Sequence, residues 1–199
     1  VVVATNGFAG NMELVARHLP DVRGLPFAGH DSSQGDALGW GNELGAAIED
    51  IDGFLAHSSV VMPQRLQLPW ALMTEGAIQV NLQGERFGNE HEGYSESALF
   101  VLAQPDGIAF NIYDERIHEV GLAMPNYLEA VTKGLIKRAA TLRDLAETLG
   151  VDRNGLEQSV ALVNALAFED DMDEFGRTFH ASQMILGPYY GVQVTGALL

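Results

Sequence analysis

Two short segments near the N-terminus carry residue types that could hold a nucleotide. The first, ATNGF, places Thr5, Asn6 and Gly7 directly after the apolar run VVV. A Gly-bearing turn after a buried strand lets backbone N–H groups approach a ligand closely, although an ordinary tight turn has the same composition. The second, SSQGDALGWG, places Gly35 and Asp36 where a helix should begin. The helix macrodipole favours an acidic residue there with or without a cofactor.

Histidine supplies the other candidate chemistry, because its unperturbed pKa lies near neutral pH. Among the six histidines, His118 lies within IYDERIHE, two residues after Arg116 and four after Asp114. One interpretation is therefore an α+β enzyme in which Asp114 and His118 act as an acid–base pair. No metal site is predicted, since cysteines are absent and the acidic run at residues 169–174 lacks the ligand spacing of a calcium loop.

The charge balance narrows the range of partners. The 199 residues include 27 acidic and 11 basic side chains, for a net charge of −16 at pH 7. Such a charge repels nucleic-acid phosphates and anionic membrane surfaces. The sequence contains no apolar run near the roughly 20 residues that span a bilayer, and no signal-peptide pattern. A cytoplasmic location is the default prediction.

The elements that must position the candidate residues are helices and strands together. Apolar residues at helical spacing predict a helix over residues 11–19, and residues 36–47 predict a second one. The capping residues Thr141 and Asp152 mark the starts of two helices further along. We predict an α+β fold, in which α/β segments flank an inserted α+β unit. The remaining predicted elements are an opening strand in residues 1–3, a short strand at 48–57, an irregular excursion at 58–69, a hairpin within 76–90, a helix at 94–103, and strands at 108–113 and within 187–199.

The most informative segment is GAIQVNLQGERFGNE, residues 76–90. Its strand formers, its turn residues and the charges of Arg86 and Glu90 predict a hairpin beside a polar anchor. The segment resembles an element of the fumarate reductase and succinate dehydrogenase flavoprotein family, which includes 3-ketosteroid and tricarballylate dehydrogenases. A DxxFGR turn that ends at Arg177 and the segment GPYYGVQVTGALL are also similar to that family. The resemblance covers nearly the whole chain, and Arg86, Glu90 and Arg177 are expected to be structural.

The resemblance implies FAD as the cofactor. ATNGF stands where the family has ATGGF beside the adenine side of FAD, so Thr5, Asn6 and Gly7 are implied as cofactor-binding residues. Asn6 replaces a glycine of that motif, and asparagine tolerates positive φ better than most residues. Gly35 and Asp36 match part of a Thr-Gly-Asp-Gly motif whose backbone and Asp touch the flavin nucleotide.

The same resemblance implies three catalytic residues. His57, in FLAHSS, stands where fumarate reductases have a histidine that helps to hold a substrate carboxylate. His118 occupies the place of a proton-donating arginine, and Arg116 lies two positions earlier. Trp70 and Met73 occupy the places of a Glu and an Arg that relay protons, which apolar residues cannot do. We therefore expect a related flavin dehydrogenase with a less charged substrate, rather than a true fumarate reductase.

The resemblance also divides the chain. Residues 1–56 and 187–199 are expected to belong to an FAD-binding domain, and residues 57–186 to a capping domain over the substrate. Because both ends are apolar, we expect an inactive fragment whose partners are a small-molecule substrate and further FAD-domain segments of the same polypeptide. The expected activity of the intact parent is hydride transfer between FAD and a C–C bond beside an electron-withdrawing group. The alternative is a non-catalytic binding or assembly module with the same cap fold.

Overall fold

The fold is built around one antiparallel sheet. The computed structural model describes residues 2–199. Six strands lie within them: β1 (Ala56–Val61), β2 (Leu66–Gln67), β3 (Ile78–Val80), β4 (Ile108–Asp114), β5 (Lys137–Ala139) and β6 (Tyr189–Leu198). The strand order is β2-β1-β6-β4-β3, with β5 also beside β6, and all pairings among these strands are antiparallel.

The last strand of the chain lies in the centre of this sheet. β6 pairs with β4 from Tyr189 to Thr195, and with β1 near its own end, where Ala197 stands opposite His57. Most residues of β6 are buried because both faces of the strand are covered. The strand predicted within residues 187–199 is therefore confirmed, in a position that brings the end of the chain next to its middle.

Helices cover the sheet, and several begin at the residues that the sequence indicates. The side chains of Asn11, Thr141 and Asp152 each accept hydrogen bonds from backbone N–H groups in the first turn of the helix that follows. Within residues 2–199 the α-helices are α1 (Met12–His18), α2 (Asp36–Glu43), α3 (Ala71–Thr74), α4 (Tyr94–Leu102), α5 (Glu115–Leu122), α6 (Pro125–Thr132), α7 (Leu142–Leu149) and α8 (Arg153–Glu169).

Each face of the sheet has its own hydrophobic core, because successive side chains of a strand point to opposite faces. Tyr113 of β4 and Val192 of β6 belong to the core that includes α3, α5 and α6. Phe110 and Ile112 of β4 pack instead with α7 and α8. Full burial of a side chain of this size contributes about 1.5–3 kcal/mol to stability. The sheet between two helical layers confirms the predicted α+β class.

The opening apolar run does not form the predicted strand. Val2 and Val3 are 92% and 51% exposed, and residues 2–7 have no regular structure. A strand is stable only where its backbone N–H and C=O groups find partners. None of the strands in residues 2–199 pairs with this run, so the prediction is wrong for the part of it that the structure describes.

The β1–β2 hairpin also departs from prediction. The strand expected at residues 48–57 begins only at Ala56, and it continues to Val61, into the segment predicted to be irregular. Ser58 and Ser59 give β1 a polar pattern, but both are buried. The hydroxyl of Ser59 accepts hydrogen bonds from Asn111 Nδ2 at 3.0 Å and from Gln79 Nε2 at 3.2 Å. Because Ser59, Gln79 and Asn111 satisfy one another, they are tolerated inside the sheet. The hydroxyl of Ser58 has no hydrogen-bond partner within residues 2–199.

A third core connects the two ends of the chain. Val15 of α1 packs in one cluster with Ala56 of β1, Ala98 of α4 and Leu198 of β6. The predicted boundary at residue 57 falls inside β1, and this cluster includes residues on both sides of it. The division into a cap and flavin-domain segments stays a prediction.

Candidate functional site

The two N-terminal segments that could hold a cofactor lie against each other. Asn6 adopts φ of +66°, and its side-chain amide donates to the hydroxyl of Ser33 at 2.9 Å. The backbone N–H of Gly7 donates to the Asn6 side-chain carbonyl oxygen at 3.0 Å, and that of Gly10 to the Ser33 carbonyl at 2.9 Å. The turn that contains Thr5, Asn6 and Gly7 is therefore fixed next to the loop that precedes α2.

Gly35 is required at the start of α2 on two grounds. Its φ of +88° is a conformation that residues other than glycine rarely adopt, and a Cβ there would lie 2.8 Å from Leu14 and 2.9 Å from Phe8. Among residues 2–199 no side chain caps α2, so the first backbone N–H groups after Gly35 have no capping acceptor there. Exposed N–H groups at a helix start attract anions such as phosphate, and Asp36 stands at that point. The predicted residues thus fit a nucleotide cofactor.

His57 lies on β1 with 1% of its surface exposed. Its Nδ1 accepts the backbone N–H of Ser59 at 3.0 Å, which leaves the proton of the neutral ring on Nε2. Burial lowers the pKa of His57 from 6.5 to about 4. The imidazole is therefore uncharged at neutral pH, and it provides a hydrogen-bond donor without a positive charge.

His57 belongs to an aromatic cluster with Trp70 and Tyr94. The ring of Tyr94 stacks on His57 at 5.2 Å between centroids with an interplanar angle of 18°, and Trp70 meets His57 edge to face at 5.6 Å. Trp70 and Tyr94 also contact each other, at 6.3 Å. These arrangements are the ones that aromatic pairs prefer. Trp70 precedes α3 and Tyr94 begins α4, so the cluster forms where the starts of two helices meet β1.

His118 lies in a different environment on α5. Its Nδ1 is 2.8 Å from the hydroxyl of Tyr127, which is 2.8 Å from the hydroxyl of the buried Tyr113. The His118 ring also stacks on Tyr190 at 4.2 Å. Asp114 does not pair with it, because the Asp114 carboxylate caps α5 by accepting the N–H of the third residue after it. The interpretation of Asp114 and His118 as an acid–base pair therefore gains no support.

The structure does not bring the three predicted catalytic residues together. His118 contacts Tyr190 of β6, whereas His57 stands opposite Ala197 of the same strand. At about 3.3 Å per residue, these strand positions lie about 23 Å apart. Arg116 donates to the Glu75 carbonyl at 2.9 Å and its side chain is partly exposed. The catalytic roles of His57, His118 and Arg116 stay predictions.

A buried network of charges holds the GAIQVNLQGERFGNE segment. Glu90 accepts from Arg86 and from Arg177, both at 2.7 Å, and Arg86 also pairs with Asp173. Arg177 donates to the Ala77 carbonyl at 2.9 Å. Burial alone would raise the pKa of Glu90, but the hydrogen bonds and charges of the two arginines hold it below its usual value. The expected charged pair of Arg86 and Glu90 is confirmed as part of a four-residue network.

Neither a membrane-spanning helix nor a metal-binding cluster occurs within residues 2–199. No helix there is both long enough and apolar enough to cross a membrane. No group of three or more His, Asp or Glu side chains in the same range is arranged to hold a metal ion.

Comparisons with known proteins identify the class of protein to which this chain belongs. Residues 1–199 match the FAD binding domain family, and the chain belongs to that family. This membership confirms the predicted flavoprotein family and FAD as its cofactor.

Named relatives are oxidoreductases of the fumarate reductase type and its neighbours. The chain is 28% identical over 195 residues to an NADH:fumarate oxidoreductase of Klebsiella pneumoniae, with 98% of the chain and 21% of the relative covered. It is 31% identical over 202 residues to a 4-oxocyclohex-2-ene-1-carboxylate 5-dehydrogenase of Sinomonas cyclohexanicum, and this match covers 89% of the chain and 33% of the relative. The open conformation of a flavocytochrome c3 fumarate reductase superposes on the chain with a TM-score of 0.83 at 26% identity. This match covers 100% of the chain and 35% of the reductase. The chain thus spans a fifth to a third of the length of these proteins.

The lowered pKa of His57 predicts how stability depends on pH. Because the folded pKa is about 4 and the unfolded pKa 6.5, the unfolded chain binds more protons between these values. The contribution of His57 to the free energy of unfolding is therefore fully present above pH 6.5 and is lost as the pH falls towards 4. Between pH 7 and 5 the free energy of unfolding should fall by about 2 kcal/mol more in the wild type than in His57→Asn, which retains an acceptor for Ser59. Urea denaturation of both proteins at the two pH values measures this difference, and equal pH slopes would contradict it.

Proposed function

We propose that the chain is part of a flavin-dependent oxidoreductase that transfers hydride between FAD and a C–C bond next to an electron-withdrawing group. The observation that carries the proposal is the match to the FAD binding domain family over residues 1–199. The relatives named as fumarate reductases and as a cyclohexene carboxylate dehydrogenase support this class of reaction. When bound, FAD accepts or supplies the hydride, and the protein binds and orients the substrate.

Five residues would hold the cofactor in this proposal. The turn of Thr5, Asn6 and Gly7 is bonded through Asn6 to Ser33 in the loop before α2, and the N–H groups after Gly35 lack a side-chain cap. These N–H groups suit an anionic phosphate, and Asp36 at the same point suits a hydroxyl group of a nucleotide. Residues 1–56 and 187–199 would then form part of the FAD-binding domain, and further segments of the same polypeptide would complete it.

Residues 57–186 would form the cap over the substrate. A cap excludes water, which strengthens the polar interactions within a site and protects a reduced cofactor. His57 begins this unit, and its neutral imidazole can donate a hydrogen bond but offers a carboxylate no positive charge. The hydrophobic Trp70, just before α3, contacts His57, and Met73 lies within α3. We therefore propose a substrate that carries less charge than fumarate.

The test is the flavin absorbance of the protein expressed from its complete gene, with the 199-residue chain measured alongside. We expect a yellow complete protein with flavin bands, and a chain that takes up little FAD. The variant Gly35→Val should lower FAD retention at least tenfold, because its side chain would meet Leu14 and Phe8. Gly39→Val has no atom within 4 Å of its new Cβ and serves as the matched control. A complete protein that stays colourless after FAD addition would instead support the non-catalytic binding or assembly module.

A further inference from the structure

A β-bulge lies directly after His57 in β1. The pairing of β1 with β6 joins His57 and Val60, which are three residues apart, to two residues of β6 that are only two apart. The extra residue therefore falls at Ser58 or Ser59, both of which are buried. A bulge bends its strand and changes the direction of the side chains beside it. The direction of the His57 ring thus depends on how this bulge is held.

The main chain of the bulge is bonded to the His57 ring. The N–H of Ser59 donates to His57 Nδ1 at 3.0 Å, and the carbonyl of Ser59 accepts the N–H of Leu68 at 2.9 Å. The first of these bonds keeps the imidazole in one orientation and leaves its proton on Nε2. If the bulge moved, the Ser59 N–H would leave Nδ1, and the ring would be free to rotate or to exchange its proton between the two nitrogens.

Gln79 holds the bulge from the far side of the sheet. It lies on β3, and β4 and β6 separate that strand from β1. Its side-chain nitrogen Nε2 is 3.1 Å from the Ser58 carbonyl oxygen and 3.2 Å from the Ser59 hydroxyl. The same nitrogen is 3.0 Å from Asn111 Oδ1, and Asn111 Nδ2 donates to the Ser59 hydroxyl at 3.0 Å. Gln79 and Asn111 therefore bond both to the main chain and to a side chain of the bulge.

Gln79 is itself held firmly. It is 2% exposed, it stands opposite Asn111 in the β3–β4 ladder, and its backbone N–H donates to Glu90 at 3.0 Å. Mutual satisfaction alone would explain why these polar side chains are tolerated inside the sheet. The bond to the Ser58 carbonyl does more than that, because it fixes the path of the β1 main chain. Such a bond is strong in the low-dielectric interior of a protein.

We infer that Gln79 is a positioning residue for His57. Its amide holds the bulge of β1, and the bulge holds the imidazole with Nδ1 as an acceptor and Nε2–H as a donor. The inference rests on the proposed function, because the orientation of His57 affects the reaction only if His57 binds the substrate. Gln79 acts through the Ser58 carbonyl and the Ser59 N–H, without touching the substrate.

The experiment follows the ring nitrogens of His57 by NMR in the complete protein, labelled with 15N-histidine. The His57 signals are identified by their absence from His57→Asn. In the wild type we expect one neutral tautomer at pH 7, with the proton on Nε2. Gln79→Met has a side chain of similar length but no donor, so the bond from Ser59 that favours the neutral ring should weaken. The pKa of His57 should then rise by about one pH unit, which is a tenfold increase in proton affinity.

The matched control removes an amide that contacts a different asparagine. Gln104 accepts from Asn81 at 3.2 Å and has no bond to the bulge, so Gln104→Met should leave the His57 titration unchanged. If Gln79→Met does not fold, Gln79→Asn replaces it. Its amide is one methylene shorter and should no longer reach the Ser58 carbonyl, so the pKa of His57 should shift in the same direction.

A folded Gln79 variant with the His57 tautomer and titration of the wild type would overturn the inference, even if the variant is less stable. A purely structural role for Gln79 would give that result. The ring titration does not depend on flavin binding. A complete protein that retains no FAD would therefore overturn the proposed function, whereas an unchanged titration would overturn the positioning role, so the two failures are distinguishable.

Discussion

Glu90→Gln should lower the free energy of unfolding by about 3–5 kcal/mol, which is the usual cost of removing one partner from a buried ion pair. Glu90 is 3% exposed and lies between two guanidinium groups. Glutamine preserves the shape and can still accept the N–H of Gln79, which donates to Glu90 at 3.0 Å. Arg86 would keep its pair with Asp173, whereas the pair of Arg177 with Glu90 would be lost. The expected loss of stability therefore measures the effect of removing the charge of Glu90 rather than a change in packing.

Urea denaturation followed by tryptophan fluorescence measures this loss. The matched control is Glu75→Gln, because Glu75 also pairs with an arginine but is half exposed and 3.7 Å from it. An exposed pair of this kind contributes about 0–1 kcal/mol, so the control should change stability by less than about 1 kcal/mol. Similar effects of the two substitutions would mean that the network is hydrated and does not anchor the segment.

The charge network around Glu90 also shows which contacts can be predicted from residues that are close in the sequence. Arg86 and Glu90 are four residues apart, so their pairing could be predicted from the sequence. Arg177 and Asp173 join them across 87 residues, and no local pattern indicates which carboxylate a distant arginine will meet. The structural role expected for Arg86, Glu90 and Arg177 is consistent with this geometry, but the four-way contact required the fold.

The same distinction explains which elements were predicted. Helices with a capping side chain, such as those after Asn11, Thr141 and Asp152, are recognisable because cap and helix are adjacent in sequence. β1 is not recognisable, because Ser58 and Ser59 suggest an exposed segment, and the partners that let Ser59 be buried, Asn111 and Gln79, lie far away in the sequence. The short helices α3 and α6 have no capping side chain and were missed, since short helices depend on packing for their stability. The helix α5 was also missed, although Asp114 caps it.

The residues of the candidate site were likewise predicted only where the signal is local in the sequence. The two N-terminal segments could be predicted from glycine and turn composition, and the fold brings them together through Asn6 and Ser33. Tyr94 could not be predicted, because a tyrosine at the first position of a helix has no spacing that distinguishes it from other surface residues. Its contact with His57 depends on where α4 lies over β1, which is set by packing between elements that are distant in sequence.

Gly155→Ala should destabilise the chain by about 3 kcal/mol, at the upper end of the usual cost of overpacking. Gly155 lies in the first turn of α8, and a Cβ there would be 1.8 Å from the backbone oxygen of Gln83. The Gln83–Gly84 turn would have to move away from the helix. Such a movement would break the hydrogen bond from the Ser159 hydroxyl to the Gly84 carbonyl, which is 2.7 Å long.

The matched control is a second glycine-to-alanine substitution, which is expected to raise stability rather than to lower it. Gly39 lies inside α2, and a methyl group on its Cα would have no atom within 4 Å, so Gly39→Ala should raise stability by about 0.5–1 kcal/mol. The midpoint of urea denaturation measures both changes. Because the turn at Gly84 connects β3 to Arg86, a neutral Gly155→Ala would mean that α8 does not support the GAIQVNLQGERFGNE segment. A large loss would place the close contact between Gly84 and Gly155 among the features that fix this segment at the base of the predicted cap.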